Sequence, residues 1–320
     1  MLVTIGICTF NRCELLAQTL DQLTRIDVPA DVDFEVLVVD NASTDATAET
    51  VASASDRLPV RYALESRRGQ SHARNRILAH ARGEWILWTD DDVLVDRHWL
   101  SSCIDAVRRH DDAVVVGGPC EPWFPADPDP DLLRTFPGLA SGFCAAPYAG
   151  GDGVMNASGV SNLMGMNMGM RRSACAELFF DPALGYSDTS TAAGEETDYV
   201  RRLLSRGGVA VWASGMRVRH YVLPSRMTLE YLTAFTFGLG RISVREEGFP
   251  SGRTLLGVPR WLYSSCIATY VEYWIQRCAG SRQSSLDSLR QYHYFRGVLH
   301  ECRSISSARV KNERLALSAR

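Results

Sequence analysis

Short, nearly continuous apolar runs that stop abruptly at polar clusters constrain this chain more than any other feature. Residues 34–39 read FEVLVV and stop at Asp40-Asn41-Ala42-Ser43-Thr44-Asp45. Trp85-Ile86-Leu87-Trp88 stops one residue before Asp90, Asp91 and Asp92. Residues 3–8 run into Thr9-Phe10-Asn11-Arg12. A strand without polar alternation is buried on both faces. Between these runs lie helical patterns, such as Leu15, Leu16, Leu20 and Leu23, which Asn11 is placed to cap. Residues 60–64 and 113–116 read as further strands, and 71–81 and 99–109 as helices, with Gly83 as a C-cap. Asp45 is placed to cap the helix after the second strand. The pattern predicts an α/β fold with a doubly wound, mainly parallel sheet and helices on both faces. Such sheets bind ligands beyond the carboxyl ends of their strands. The three polar clusters therefore converge on one site.

Beyond this core the pattern changes twice. From 119 to 165 Pro, Gly and small polar residues dominate, as in EPWFPADPDPD, which reads as a long functional loop or lid. Past Pro224 apolar, aromatic and basic residues mix in helical segments. The expected organisation is a catalytic domain over 1–223, with a nucleotide-binding half at about 1–118 and an acceptor half at about 119–223. A helical C-terminal extension over 224–303 and a frayed polar tail over 304–320 follow.

Bulk properties narrow the class. The 320 residues are 46% hydrophobic and 22% charged, with net charge -3, which fits a globular protein and argues against a nucleic-acid binder. Nine cysteines without a CxxC pair read as reduced thiols rather than a zinc site, and a cytoplasmic location follows. The first dozen residues suit a strand better than a signal peptide, and no uncharged apolar run is long enough to span a bilayer.

Three adjacent carboxylates repel one another and have no use in a core. With Asp40 after a neighbouring strand they predict a cation site. Oxygen ligands select Mg²⁺ or Mn²⁺, with a substrate phosphate completing the shell.

TFNR after the first strand, VVDNASTDAT after the second, SHARNRILAHARGEWILWTDDD and GEETDYVRRLLSRG resemble, in order, the family 2 glycosyltransferases of the GT-A fold. The resemblance covers about 3–222. It implies inverting transfer of a sugar from a nucleotide diphosphate donor, UDP-linked by preference, to a hydroxyl of a glycan, lipid-linked or small-molecule acceptor. It implies that Thr9 and Arg12 lie by the nucleotide, that Asp40 meets the base, and that Arg74 sits near the base or diphosphate. Asp90 would face the ribose or the metal, Asp92 would bind the metal, and Asp91 lies between them. His220 would meet the metal or diphosphate, and Asn167 would line a sugar pocket. Glu195-Glu196 stands where the family carries Glu-Asp, so Glu196, or else Glu195, is the candidate general base. Asp198 reads as a first-turn acid or an acceptor contact.

Two other readings share these acids. A sugar nucleotidyltransferase would carry a Gly-rich basic loop where this chain has CTFNRCELL. A non-catalytic glycan-binding protein on the same fold would not need Glu196. The aromatic C-terminal segment 255–277 suits packing on the catalytic domain, on a second copy in a homo-oligomer, or on the inner face of a membrane as a peripheral anchor.

Overall fold

A computed structural model describes residues 1–144, 148–184 and 194–318. The chain divides into two compact units, residues 1–123 with 144–221, and residues 124–143 with 222–320.

The first unit is built on an eight-stranded sheet. In chain order it contains β1 (Leu2–Thr9), α1 (Cys13–Leu23), β2 (Asp33–Asp40), α2 (Thr47–Ala54), β3 (Val60–Leu64), α3 (Gln70–His80), β4 (Trp85–Asp90), β5 (Val93–Val95), α4 (Trp99–Arg109), β6 (Ala113–Gly117) and β7 (Cys120–Trp123). The order in the main sheet starts β3-β2-β1-β4, all parallel. It continues through β9 (Met168–Arg171), which is antiparallel to both β4 and β6, to β10 (Val209–Trp212) beside β6 and the short β8 (Gly153–Val154). A three-stranded sheet, β5-β11-β7, stands apart, with β11 at Val218–Tyr221.

Both faces of the main sheet are covered at its centre, which is why its inner strands are mostly apolar. Leu16, Leu20 and Leu23 of α1 and Trp99, Leu100 and Ile104 of α4 pack with Val3, Ile5 and Ile7 in one core. Ala73 and Ile77 of α3, and Tyr199, Val200 and Leu203 of α7 (Glu195–Leu204), join Leu37, Val39 and Ile86 in the other. Parallel register places Thr9 opposite Asp40 and Cys8 opposite Asp90. Three strand ends thus share one edge of the sheet.

The second unit is mainly helical. It holds α5 (Pro130–Thr135), α6 (Pro137–Ala140), α8 (Leu229–Glu247), the hairpin β12 (Thr254–Leu255) and β13 (Val258–Pro259), α9 (Arg260–Ala279) and α10 (Arg282–Ser318). Arg282 bridges Asp129 and Asp131, and Gln283 Nε2 donates to Thr135 Oγ1 at 2.7 Å, so the start of α10 grips α5. Glu301 accepts from both Arg241 and Arg245, at 2.8 and 2.7 Å, tying α10 to α8. No helix among the described residues is long and apolar enough to cross a membrane.

Several local expectations change. Residues 119–165 are not one structureless lid: they hold β7, α5, α6 and β8, and 124–143 cluster with the second unit. The prolines that broke the periodicity start helices instead. Pro130 sits in the first turn of α5, and Asp129 accepts from the backbone of Asp131 and Leu132 as its cap. The tail is helical as far as Ser318, because a polar stretch without Gly or Pro that carries Ala, Arg, Lys and Leu still favours helix. Asn11 does not cap α1. It adopts φ 51°, and its side-chain oxygen accepts from the backbone of Thr44 at 2.7 Å. Asp45 serves both helix starts, accepting from Cys13 N at 3.0 Å and Thr47 N at 3.2 Å. Gly83 lies past Ala81, the actual C-cap of α3; a side chain there would collide with the backbone of β1 at Val3 and Thr4.

Candidate active site

The acidic triplet begins at the last residue of β4 and occupies the turn into β5. Asp91 and Asp92 are both buried, at 4% exposure each, so their charges need partners. Thr9 Oγ1 donates to Asp91 Oδ2 at 2.7 Å. Arg12 Nη1 donates to Asp91 Oδ1 at 3.1 Å and to Asp92 Oδ2 at 2.6 Å. Thr19 of α1 donates to the Asp91 carbonyl at 2.9 Å, and Tyr221 N to the Asp92 carbonyl at 2.9 Å. Thr9 and Arg12 therefore face the acids. Asp91, the least assigned acid from sequence, is the most firmly held. Burial, with Asp92 beside it, pushes the Asp91 carboxyl up to about 6 against the pull of Arg12 and Thr9. Burial also raises Asp90, opposed by Arg74.

Asp92 Oδ1 has no hydrogen-bond partner although it is buried. His220 Nε2, on β11, lies 3.7 Å from that oxygen, and His220 Nδ1 lies 3.9 Å from Cys144 Sγ. Burial opposes protonation of His220, but Cys144 and Asp92 outweigh it and raise its pKa. A buried carboxylate oxygen with spare lone pairs fits a divalent cation, which His220 joins only on losing the proton its neighbours favour. Among the described residues no three His, Cys, Asp or Glu side chains converge as a complete metal site. The protein's donors suit a cation whose remaining shell comes from a ligand.

Asp40 lies at the end of β2. Its Oδ1 accepts from Ser43 N at 2.8 Å, and its Oδ2 from the Tyr62 hydroxyl at 2.8 Å. Burial and Asp40 raise the Tyr62 phenol to about 12. Asn41 fastens the adjoining loop: its amide donates to the carbonyls of Glu65 and Arg67 and accepts from Gly69 N at 2.8 Å. Arg68 lies over the Phe10 ring, 3.1 Å from its centroid.

Arg74 faces the glutamates of α7 and also acts on the charge of Asp90. It is 3% exposed, and its guanidinium spans both glutamates of α7. Nη1 donates to Glu195 Oε1 at 2.9 Å, and Nη2 donates to Glu196 Oε1. Its pKa is raised above the ordinary arginine value because the Glu196 charge and neighbouring acids outweigh burial. Glu195 is buried, which raises its pKa, while Gly194 N donates to its Oε2 at 3.1 Å. Glu196 is more open, with 27% of its side chain exposed, and its Oε2 accepts from Gly165 N at 3.0 Å. A Cβ at Gly165 would overlap the Glu196 carboxylate. Asp198 pairs with Arg202 at 2.8 Å one turn along α7, a helix-surface ion pair.

Asn167 does not line a sugar pocket. It is fully buried; its oxygen accepts from Trp99 Nε1, and its amide donates to the carbonyls of Pro119 and Met216. It is a strut in the core. Sequence reading missed Tyr62 and Gly165 as neighbours of the candidate residues, and placed Asn41 in a converging cluster without its loop-fastening role. Tyr62 and Gly165 are brought in only by folding.

Acids at adjoining strand ends, and a paired glutamate on a helix, thus lie within one unit of the chain. The sequence model of glycosyl transferase family 2 matches residues 4–179, more than half the chain. The chain belongs to this family. The chain is 27% identical over 250 residues to succinoglycan biosynthesis protein ExoM of Rhizobium meliloti, covering 75% of this chain and 73% of that protein. It is 35% identical over 133 residues to validoxylamine A glucosyltransferase of Streptomyces hygroscopicus, covering 41% of this chain and 31% of that one. Among solved structures, Staphylococcus aureus TarS 1–349 in complex with UDP superposes with a TM-score of 0.57 at 17% identity, over 94% of this chain and 92% of that one. A mannosyltransferase from Pyrobaculum calidifontis, in complex with GDP-Man and Mn2+, gives 0.55 at 18% identity, over 93% and 86%. At these identities the structures establish a shared GT-A fold, here with its mainly parallel sheet and helical C-terminal portion. Family membership makes the protein a glycosyltransferase.

Proposed function

We propose that the chain transfers a sugar, with inversion, from a nucleotide diphosphate donor to a hydroxyl of a glycan, lipid-linked or small-molecule acceptor. A UDP-sugar is the favoured donor on the family resemblance, which sets Asp40, at the end of β2, against the base. The observation that carries the reading is the unsatisfied, buried Asp92 Oδ1 beside His220, at the strand edge shared by Thr9, Asp40 and Asp90. Asp92, with Asp90 and His220 near it, would hold Mn²⁺ or Mg²⁺. The bound ion would supply charge to the diphosphate as it leaves. Asp90 is assigned to the ribose or the metal, and Thr9, Arg12 and Asp91 to the nucleotide side.

Glu196 is assigned as the base. Its two oxygens are oriented by Arg74 and Gly165 N–H, and each keeps a lone pair for a hydroxyl proton. The acceptor oxygen attacks the anomeric carbon from the face opposite the diphosphate. Its proton passes to Glu196 as the bond from carbon to diphosphate oxygen breaks. Glu195, more buried, orients Arg74. The longer Glu side chain in place of the family's Asp is accommodated by Gly165, which lacks the Cβ that would overlap it.

The test is a panel of UDP-, GDP- and dTDP-sugars, assayed for hydrolysis with and without Mn²⁺, on wild type, Asp92→Ala and Glu196→Gln. Asp92→Ala is expected to remain folded and lose metal-stimulated turnover. Glu196→Gln is expected to keep donor affinity and lose transfer. Full turnover in Asp92→Ala, or unchanged transfer in Glu196→Gln, overturns the corresponding assignment.

A further inference from the structure

Helix α9 is apolar on the wrong side for a protein surface. Its buried residues, Leu262, Cys266 and Thr269, face α10 and β13. At 100° per residue, Ile267, Val271 and Ile275 lie on the opposite face, flanked by Tyr270 and Trp274. These five side chains are 43–66% exposed. A surface helix normally turns polar residues to this side. A contiguous exposed apolar stripe marks an interaction surface.

Charge identifies the occupant. Residues 222–320 carry 14 Lys and Arg against seven Asp and Glu, whereas residues 1–221 carry 20 against 30. The chain's overall acidity therefore hides a basic C-terminal region. Arginines bracket the stripe. Arg260 opens α9, and its backbone N donates to the carbonyl of Arg253 at 2.8 Å, so both lie at one end. Arg277 lies at the other, 5.3 Å from the ring centroid of Trp274, with Nη1 donating to the Tyr273 hydroxyl at 2.6 Å. Arg253, Arg260 and Arg277 are exposed and form no ion pair among the described residues. Glu272, the one acid of the helix, lies at the stripe's edge rather than its centre. Apolar side chains flanked by aromatic rings and basic ends match a bilayer interface, where the rings sit at headgroup depth and arginines reach outward to phosphates. A second copy would set one basic region against another.

We propose that the exposed face of α9 docks onto an anionic lipid surface. This rests on the second unit alone and is independent of the donor and base assignments. The test is vesicle flotation of the full-length chain, using phosphatidylcholine with about 30 mol% phosphatidylglycerol and phosphatidylcholine alone, at low and high salt. Wild type is expected to float with anionic vesicles at least about tenfold more than with neutral ones, and to release as salt rises. Val271→Glu/Ile275→Glu, at exposed positions, is expected to abolish flotation while the melting temperature and donor turnover stay unchanged. Arg260→Gln/Arg277→Gln is expected to weaken flotation and flatten its salt dependence. Failure of wild type to float at low salt, or equal flotation of the glutamate variant, overturns the proposal. A dimer in sedimentation that Val271→Glu dissociates, without vesicle binding by wild type, assigns the face to a second copy and also overturns it.

Discussion

Arg74 is the side chain whose loss should cost the most, and the size of the cost follows from its surroundings. The guanidinium and Glu195 are each 3% exposed, while Glu196 is partly open. Removing one member of a buried ion pair leaves a charge unpaired, at about 3 to 5 kcal/mol. The more exposed Glu196 adds little, because water screens it. Arg74→Met keeps much of the packing against Phe180, over whose ring the guanidinium lies at 5.5 Å. The loss should therefore be electrostatic. Against a typical stability of about 5–15 kcal/mol it leaves the protein folded but weakened. Hydrogen exchange suits the measurement, since two units need not unfold together. Amides of α3 and α7, the helices that carry the pair, should open with a free energy lower by about 3 to 5 kcal/mol. Adding Glu195→Gln removes the orphaned charge and should restore at least about half of that loss. Neither variant should transfer sugar, because Glu196 has lost its orientation. A drop below about 1 kcal/mol in Arg74→Met refutes the buried pair. A double variant as unstable as the single one shows instead that the arginine contributes by packing.

Two further outcomes test the geometry. Gly165→Ala pushes a methyl group into the Glu196 carboxylate, the movable end of a long side chain; kcat should fall about 10- to 100-fold with donor affinity and melting temperature little changed, and an unaltered kcat would remove Gly165 from the site. In the second unit, Arg282 holds the Asp129 carboxyl down to about 2. A lowered native pKa means that the unfolded chain binds more protons, so this stabilisation is complete above the ordinary Asp value near 4 and is lost as pH falls toward about 2. Asp129→Asn keeps an oxygen for the α5 cap but should flatten that part of the acid limb in urea-unfolding midpoints. An unchanged slope between about pH 4.5 and 2.5 would show that the pair is not formed in solution.

The sheet was legible in the sequence because each buried strand writes its own signal: FEVLVV and WILWTD need no partner to be recognised. The acids that end them were legible for the same reason, since charge directly after such a strand has few structural uses. What stayed hidden was pairing across long separations. Arg74 meets Glu195 and Glu196 more than a hundred residues along the chain, and Arg12 meets Asp91 and Asp92 about eighty residues on. The family resemblance marks both arginines, but nothing local in the sequence names their carboxylate partners. Punctuation misled as well: Pro130 and Pro137 broke a periodicity but opened helices, and Gly83 looked like a cap while serving a close backbone approach. The two arginines also differ in a way that only the fold reveals. Arg74 is locked in the core, so its glutamates hold one geometry. The Arg12 side chain is 37% exposed, and its Nη1 donates to an oxygen of Asp91 and one of Asp92. Loss of Arg12 should therefore leave the triplet more repulsive without a donor, yet disturb the glutamate pair little. Arg12→Gln tests that asymmetry: exchange at β5 should rise, exchange at α7 should not, and equal changes at both would show that the two charge clusters act as one network.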